Sequence, residues 1–299
     1  MSTINVDNVE PQSNARVAVG GAKIQYDADR NLSVGDGISE SISGLDNSII
    51  GNNAFTVATA SSNNTAMGAN VLQDCTTGGG NTAMGHSSMA NITTGGNNTS
   101  VGGGSLANAT TASINTAIGT NALNAVVSGS GNVGLGSNAG TSATGSNNIY
   151  IGYAAAELQT SGNNNITIGK DSANSTTTVS NEITLGNSSH TVIRAAVTTI
   201  TSLSDARDKK NVEESTYGLE FIHSLKPVTF EWDTRDGAKK DIKDLGFIAQ
   251  DLKEVDDEYL GLVYSENPEK LEASYGRLIP VLVKAIQDLS AKVEALENK

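Results

Sequence analysis

Residues 81 to 102 read NTAMGHSSMANITTGGNNTSVG. The stretch opens and closes on one pentad, Asn-Thr-small-aliphatic-Gly, and its second glycine, Gly102, follows the first, Gly85, by 17 residues. The beat continues in both directions. NTAMG also ends at Gly68 and NTAIG at Gly119; NVGLG, NIYIG, NITIG and EITLG close at Gly136, Gly152, Gly169 and Gly186. Toward the N-terminus it falls on Gly51 (NSIIG), Gly35 (NLSVG) and Gly20 (RVAVG). From Gly20 the steps are 15 and 16, then 17 five times, then 16, 17 and 17.

A fixed period with a fixed pentad predicts a repeat architecture. The alternation in ITIG and ITLG is the period-2 mark of a strand with one face inward. Glycine then supplies a corner that a Cβ would obstruct. Asn and Thr between strands suit turns and side-chain ladders between stacked coils. In several units an apolar residue follows the glycine by four positions (Leu72, Met89, Leu106, Leu123). A unit this short cannot bury its own apolar stripe and must stack on its neighbours. The expectation is a mainly β chain: a β-solenoid or β-roll with one coil per unit over 16–190, eleven coils counted from Gly20. Aromatic residues are scarce, so one chain's core is thin, and association around a common axis would remedy that.

Composition bounds the function. The chain of 299 residues carries a net charge of −13, which disfavours nucleic-acid and anionic-membrane partners. Between Asp46 and Lys170 the only charged side chains are Asp74 and Glu157. Five coils separate these two, too far for a glycan-cleaving carboxylate pair, which needs about 5–9.5 Å. A calcium-binding β-roll would need a recurring Asp that TTGGGN and TTGGNN do not supply, and His86, His190 and His223 are scattered. No metal or cofactor is expected. Cys75 stands alone, so no intrachain disulfide forms. The opening MSTINVDNVEPQ lacks the basic flank and apolar core of a signal peptide. No run of about 18 apolar residues is present for a membrane span.

At SLSDARDKKNV, residues 202–212, the character of the chain changes: Asp205, Arg207, Asp208, Lys209 and Lys210 arrive together after Ser204. A serine hydroxyl becomes a competent nucleophile when a base takes its proton, and a lysine desolvated toward neutrality can be that base. A turn could close the five-residue spacing from Ser204 to Lys209. The other reading of the spacing is a solvated, ion-paired turn.

The pattern Ser204-Asp205-x-Arg207-x-Lys209-x-Asn211-Val212 resembles the start of the intramolecular chaperone domain at the C-termini of phage endosialidases and many tail fibres. LKPVTFEW (225–232), LGFIAQDL (245–252) and YGRLIPVLVKAIQDL (275–289) resemble its core strand, its Gly-x-Ile-Ala-Gln segment and its closing helix, in order. That family is classed as a self-cleaving peptidase with a serine–lysine dyad; the same domain occurs in a membrane-bound transcription factor of animals. The resemblance implies a dyad of Ser204 and Lys209, a cut between Ser204 and Asp205, and supporting roles for Arg207 and Asn211. A cut at Leu203–Ser204, by an N→O acyl shift, is the alternative. The NTAIG-x-x-A-L units separately resemble head repeats of trimeric autotransporter adhesins and shaft repeats of phage tail fibres.

These readings divide the chain into an attachment segment (1–15), a repeat shaft (16–203) and a small α+β chaperone domain (204–299). HTVIRAAVTTITSL, 190–203, reads as one last β extension. Ile279, Ile286 and Val293 alternate with Leu282, Leu289 and Leu296 as an a/d heptad seam, a coiled-coil-like end to the chain. β-branched residues at a with Leu at d would by themselves favour two strands; the resemblance implies a homotrimer. A helix packed on its own domain is the other reading of the seam. The implied role is a virion tail fibre or appendage, made in the host cytoplasm. It would bind other tail or capsid proteins through its N-terminus and a host surface glycan or protein. A non-viral adhesin or stalk of the same build is the alternative.

Overall fold

A computed structural model describes residues 15–19, 22–39, 42–196 and 201–299. Apart from Ala15, the expected attachment segment lies outside the described residues. The chain divides into two compact units, Met1–Asn187 and Ser188–Lys299.

The first unit is one twelve-stranded sheet whose strands follow chain order. Strands β1 (Ala15–Val19), β2 (Ala22–Tyr26) and β3 (Leu32–Gly35) form an antiparallel meander. From β3 onward every pairing is parallel, through β4 (Ser48–Ile50), β5 (Thr65–Met67), β6 (Thr82–Met84), β7 (Thr99–Val101) and β8 (Thr116–Ile118). The ladder ends with β9 (Val133–Leu135), β10 (Ile149–Ile151), β11 (Ile166–Ile168) and β12 (Ile183–Leu185). This is the expected β-solenoid, with a correction at its start. RVAVG forms no coil: β1 and β2 are separated by only the Gly20-Gly21 pair, a hairpin spacing, whereas a parallel rung needs a full coil of chain to return. The solenoid therefore has nine steps, about 43 Å at about 4.8 Å each.

The pentad explains the coil. Its glycine lies where the backbones of successive coils nearly touch. Gly85 has φ +129°, and a Cβ there would meet the Gly102 carbonyl at 2.7 Å, so any other residue clashes and is strained. Its asparagine is buried and stacks on its counterpart one coil away. The Asn98 N–H donates to Asn81 Oδ1 at 3.1 Å, and Asn98 Nδ2 donates to the same oxygen at 3.0 Å and to the Ala112 carbonyl at 2.9 Å. Backbone donation to the previous asparagine's Oδ1 repeats from Asn47 to Asn165. The ladder stops at Glu182, whose N–H still donates to Asn165 Oδ1 (3.0 Å). The Glu182 carboxylate carries no amide N–H with which to continue the ladder, and it instead accepts the Ser175 N–H (2.8 Å) and the Thr184 hydroxyl (2.9 Å). A second ladder runs through threonine hydroxyls that donate to the carbonyl one coil on, as from Thr76 to Thr93 and from Thr93 to Thr110.

The core lies inside the coils. Leu72, Met89, Leu106 and Leu123 are fully buried, although their φ values of 47–52° are left-handed. Such a conformation costs a non-glycine residue about 1–2 kcal/mol, which full burial of the side chain offsets at about 1.5–3 kcal/mol. The strands differ from expectation in which residues they bury. The middle residue points in, and it is usually small: Ala66, Ala83, Ser100, Ala117. The larger flanking residues point out, so Met67, Met84, Ile118 and Ile168 are exposed. Where Leu72, Met89, Leu106 or Leu123 fills the corner the strand position is small, whereas the first coil buries both Ile49 and Phe55.

The second unit opens on a single 3₁₀ turn, Ala206–Asp208. Helix α1 (Leu219–Ser224), an antiparallel pair β13 (Val228–Asp233) and β14 (Lys240–Gly246), and helix α2 (Ala249–Lys253) follow. A short pair, β15 (Val263–Tyr264) and β16 (Glu272–Ala273), precedes the terminal helix α3 (Leu278–Glu297). Pro280 sits in the first turn of α3, where its missing N–H has no intrahelical partner to lose. Leu252, Leu260, Leu262, Leu278 and Val281 form a small core, with Phe221, Ile222, Leu225 and Phe247 packed on it. Asp288 ties α3 to α1, accepting the Leu219 N–H at 3.1 Å and the Lys284 ammonium at 2.6 Å. Among the described residues of the expected β extension, 190–196 and 201–203 contain no strand; 197–200 lie outside the described residues. An extended segment becomes a strand only when a neighbour pairs its backbone.

Candidate functional site

The charge switch at residue 204 is built around one side chain. Asp205 caps the 3₁₀ turn, accepting the Arg207 N–H at 2.9 Å. The Arg207 guanidinium returns onto the same carboxylate, with Nε 3.0 Å from Oδ1 and an Nη 2.5 Å from Oδ2. These bonds from Arg207 hold the Asp205 carboxyl below the usual carboxylate range. The turn closes as the Lys209 N–H donates to the Ala206 carbonyl at 3.2 Å. That reversal carries the lysine side chain back over the preceding serine. Lys209 Nζ lies 2.7 Å from Ser204 Oγ and 3.3 Å from the Ser204 carbonyl oxygen.

Ser204, Asp205, Arg207 and Lys209 therefore stand together. Asn211 does not join them: it follows the turn at φ +54°, and among the described residues it makes no hydrogen bond to Ser204 or Lys209. The local arrangement can supply a hydroxyl with a cationic nitrogen beside it, and the same nitrogen near the carbonyl of the Ser204–Asp205 bond. Enclosure is what this segment lacks within its own unit. Residues 201–216 are exposed throughout, and Leu203 is fully so.

Each unit also carries an exposed apolar surface. On α3, Leu278, Val281 and Ala285 are buried against the unit's own core, while Ile279, Leu282, Ile286, Leu289, Val293 and Leu296 all remain exposed. The packed stripe bears out the reading of a helix on its own domain, and the heptad residues lie exposed along the adjoining side of the same helix. The outward residues of β4–β12 form the second surface, which period-2 alternation alone did not reveal. Its signal was the small residue between two larger ones in TAM, TAI and ITI. Among the described residues no helix is long and apolar enough to cross a membrane.

No match was found among curated proteins or among solved structures. Residues 204–261, which hold Ser204, Lys209, α1, the β13–β14 pair and α2, match the family model described as the chaperone of endosialidase, peptidase S74.

Proposed function

We propose that the chain is a shaft-forming structural protein of a virion tail fibre or appendage. Its C-terminal unit gathers three copies and is then released by its own serine–lysine chemistry. The observation that carries this reading is the union, in one chain, of a parallel β-solenoid with a following segment that matches the chaperone family. Identical coils can pair out of register, and non-local β assembly is slow. A domain that associates first sets the number of copies and their alignment. The free seam on α3 supports association of that kind.

For the cut, Lys209 supports the bond between Ser204 and Asp205. Its nitrogen stands 3.3 Å from the Ser204 carbonyl oxygen, where negative charge would develop on attack. The Ser204 hydroxyl cannot attack its own carbonyl without closing a four-membered ring. The nucleophile is therefore a neighbouring copy's serine or a water. In net terms the C–N bond breaks, water's hydroxyl ends on the Ser204 carbonyl carbon, and the Asp205 nitrogen takes up the proton. Association would also supply the missing enclosure, desolvating the lysine so that it can act as a base. Loss of the chaperone after assembly would leave a shaft that unfolds but does not readily reassemble, a kinetic form of stability. Residues 1–15 would attach to other tail or capsid proteins, and the distal shaft would face a host surface glycan or protein.

Light scattering on the full-length Ser204→Ala chain tests the assembly half: three copies are expected, and a monomer at micromolar concentration refutes it.

A further inference from the structure

The outward strand face changes character along the ladder. In β4 to β8 the first outward position is Ser48, Thr65, Thr82, Thr99 or Thr116, and only the second is apolar. In β9 to β12 both are aliphatic: Val133 and Leu135, Ile149 and Ile151, Ile166 and Ile168, Ile183 and Leu185. Those eight side chains form an unbroken half-buried to exposed patch over the last four coils. No ionisable residue occupies either column from β4 to β12.

We propose that this face docks on the same face of neighbouring copies, and that docking starts at β9–β12 and proceeds toward β4. The proposal rests on the reading of the second unit as an assembly domain. Three features identify the occupant as another copy. The chain's net charge is −13, yet the shaft between Asp46 and Lys170 carries only Asp74 and Glu157, so identical copies can meet along it with little repulsion, and these two columns are its apolar, charge-free stripe. The aliphatic column recurs once per coil over nine strands, a spacing that an identical ladder reproduces side chain for side chain. The strands' backbone groups already pair within the ladder, so the face binds through side chains rather than by strand addition. Direction follows from the gradient. Apolar area withdrawn from water drives association, and each of the last four coils offers two aliphatic side chains where the earlier ones offer one. Those coils are also nearest in sequence to the assembly unit. A slip of several repeats would lay the doubly aliphatic block on the threonine column, so the gradient also penalises misregister.

Pulsed hydrogen exchange during refolding of the full-length chain, followed by light scattering, tests this. Amides of β9–β12 are expected to gain protection before those of β4–β7. The double substitution Ile151→Lys with Ile168→Lys should weaken association of the shafts by about a hundredfold, roughly tenfold per aliphatic side chain withdrawn. Met67→Lys with Met84→Lys should leave the protection of β9–β12 intact. Simultaneous protection, or equal effects of the two pairs, overturns the proposal and leaves the assembly domain standing if the chain is still multimeric. A wild-type chain that stays monomeric overturns both.

Discussion

Tyr150 fills the space that Gly140 leaves. A Cβ at position 140 would come within 2.3 Å of the Tyr150 ring, at the corner where other coils place Leu106 or Leu123. The tyrosine takes the middle strand position usually held by a small residue, and the large side chain has moved from corner to strand. Its hydroxyl is buried and has no hydrogen-bond partner among the described residues, and burial pushes its ionisation well above the usual tyrosine range. Gly140→Ala is therefore expected to destabilise the solenoid by about 2–4 kcal/mol, through overpacking and a left-handed φ. Tyr150→Phe is expected to stabilise it by about 1–2 kcal/mol, since the lost hydroxyl was unsatisfied. Denaturant midpoints of the two variants should move in opposite directions.

The asparagine ladder makes a second, stronger demand. Asn98→Ala removes the acceptor of the Asn115 N–H and Nδ2, and the donor to the Ala112 carbonyl. With several buried groups unmatched at once, the expected loss is about 2–5 kcal/mol. The exposed Asn91, whose Nδ2 donates to Asn108 Oδ1 at 3.2 Å, should tolerate alanine within about 0.5 kcal/mol. Unfolding rates measured in denaturant compare the two; equal effects would show that the buried ladder contributes nothing special.

In the second unit the Asp288 carboxyl is held below its usual range, first by the Lys284 ammonium and then by the Leu219 N–H. A carboxyl lowered by folding contributes stability above its unfolded pKa and loses it as pH falls through its folded one. The α1–α3 junction should thus weaken in acid, below about pH 4. Lys284 is raised by the same contact, so this one ion pair contributes between the acid limb set by Asp288 and strong alkali, where Lys284 loses its proton. Asp288→Asn should flatten the acid limb of a plot of thermal midpoint against pH. An unchanged acid limb would mean that other carboxyls control it.

Lysine at 209 is asked to act as a base, and an arginine cannot lose its proton in a protein. Lys209→Arg should therefore keep the charge and the assembled state while abolishing the cut, as Lys209→Ala should. Asp205→Asn weakens the Arg207 clamp that shapes the turn, and should slow the cut about tenfold or more by misplacing the lysine. Gel analysis of time courses after refolding separates these outcomes.

Much of this was legible in the residues. The 17-residue beat implied stacked coils, and the ladder from β3 to β12 follows it pentad by pentad. The first beat misled because RVAVG shares the pentad's ending without a coil's length of chain before the next strand. Alternation in ITI announced two faces but did not say which faced inward; the room inside the coil decides that, and it favours Ala, Ser or Thr. At residues 204–209, spacing allowed either a dyad or an ion-paired turn. The ion-paired turn is what forms, and the Asp205–Arg207 pair shapes it so that Lys209 Nζ comes to rest beside Ser204 Oγ. In the expected strand at 190–203 the described residues, 190–196 and 201–203, form none; strand pairing depends on partners that local sequence does not encode.

Intact mass spectrometry of the refolded wild-type chain bears most directly on the claim that the second unit assembles the shaft and then cuts itself loose. Two products, parted between Ser204 and Asp205, are expected from the wild type, and one uncut species from Ser204→Ala. A wild-type preparation that light scattering shows to be trimeric, yet retains only the uncut mass, would contradict the account.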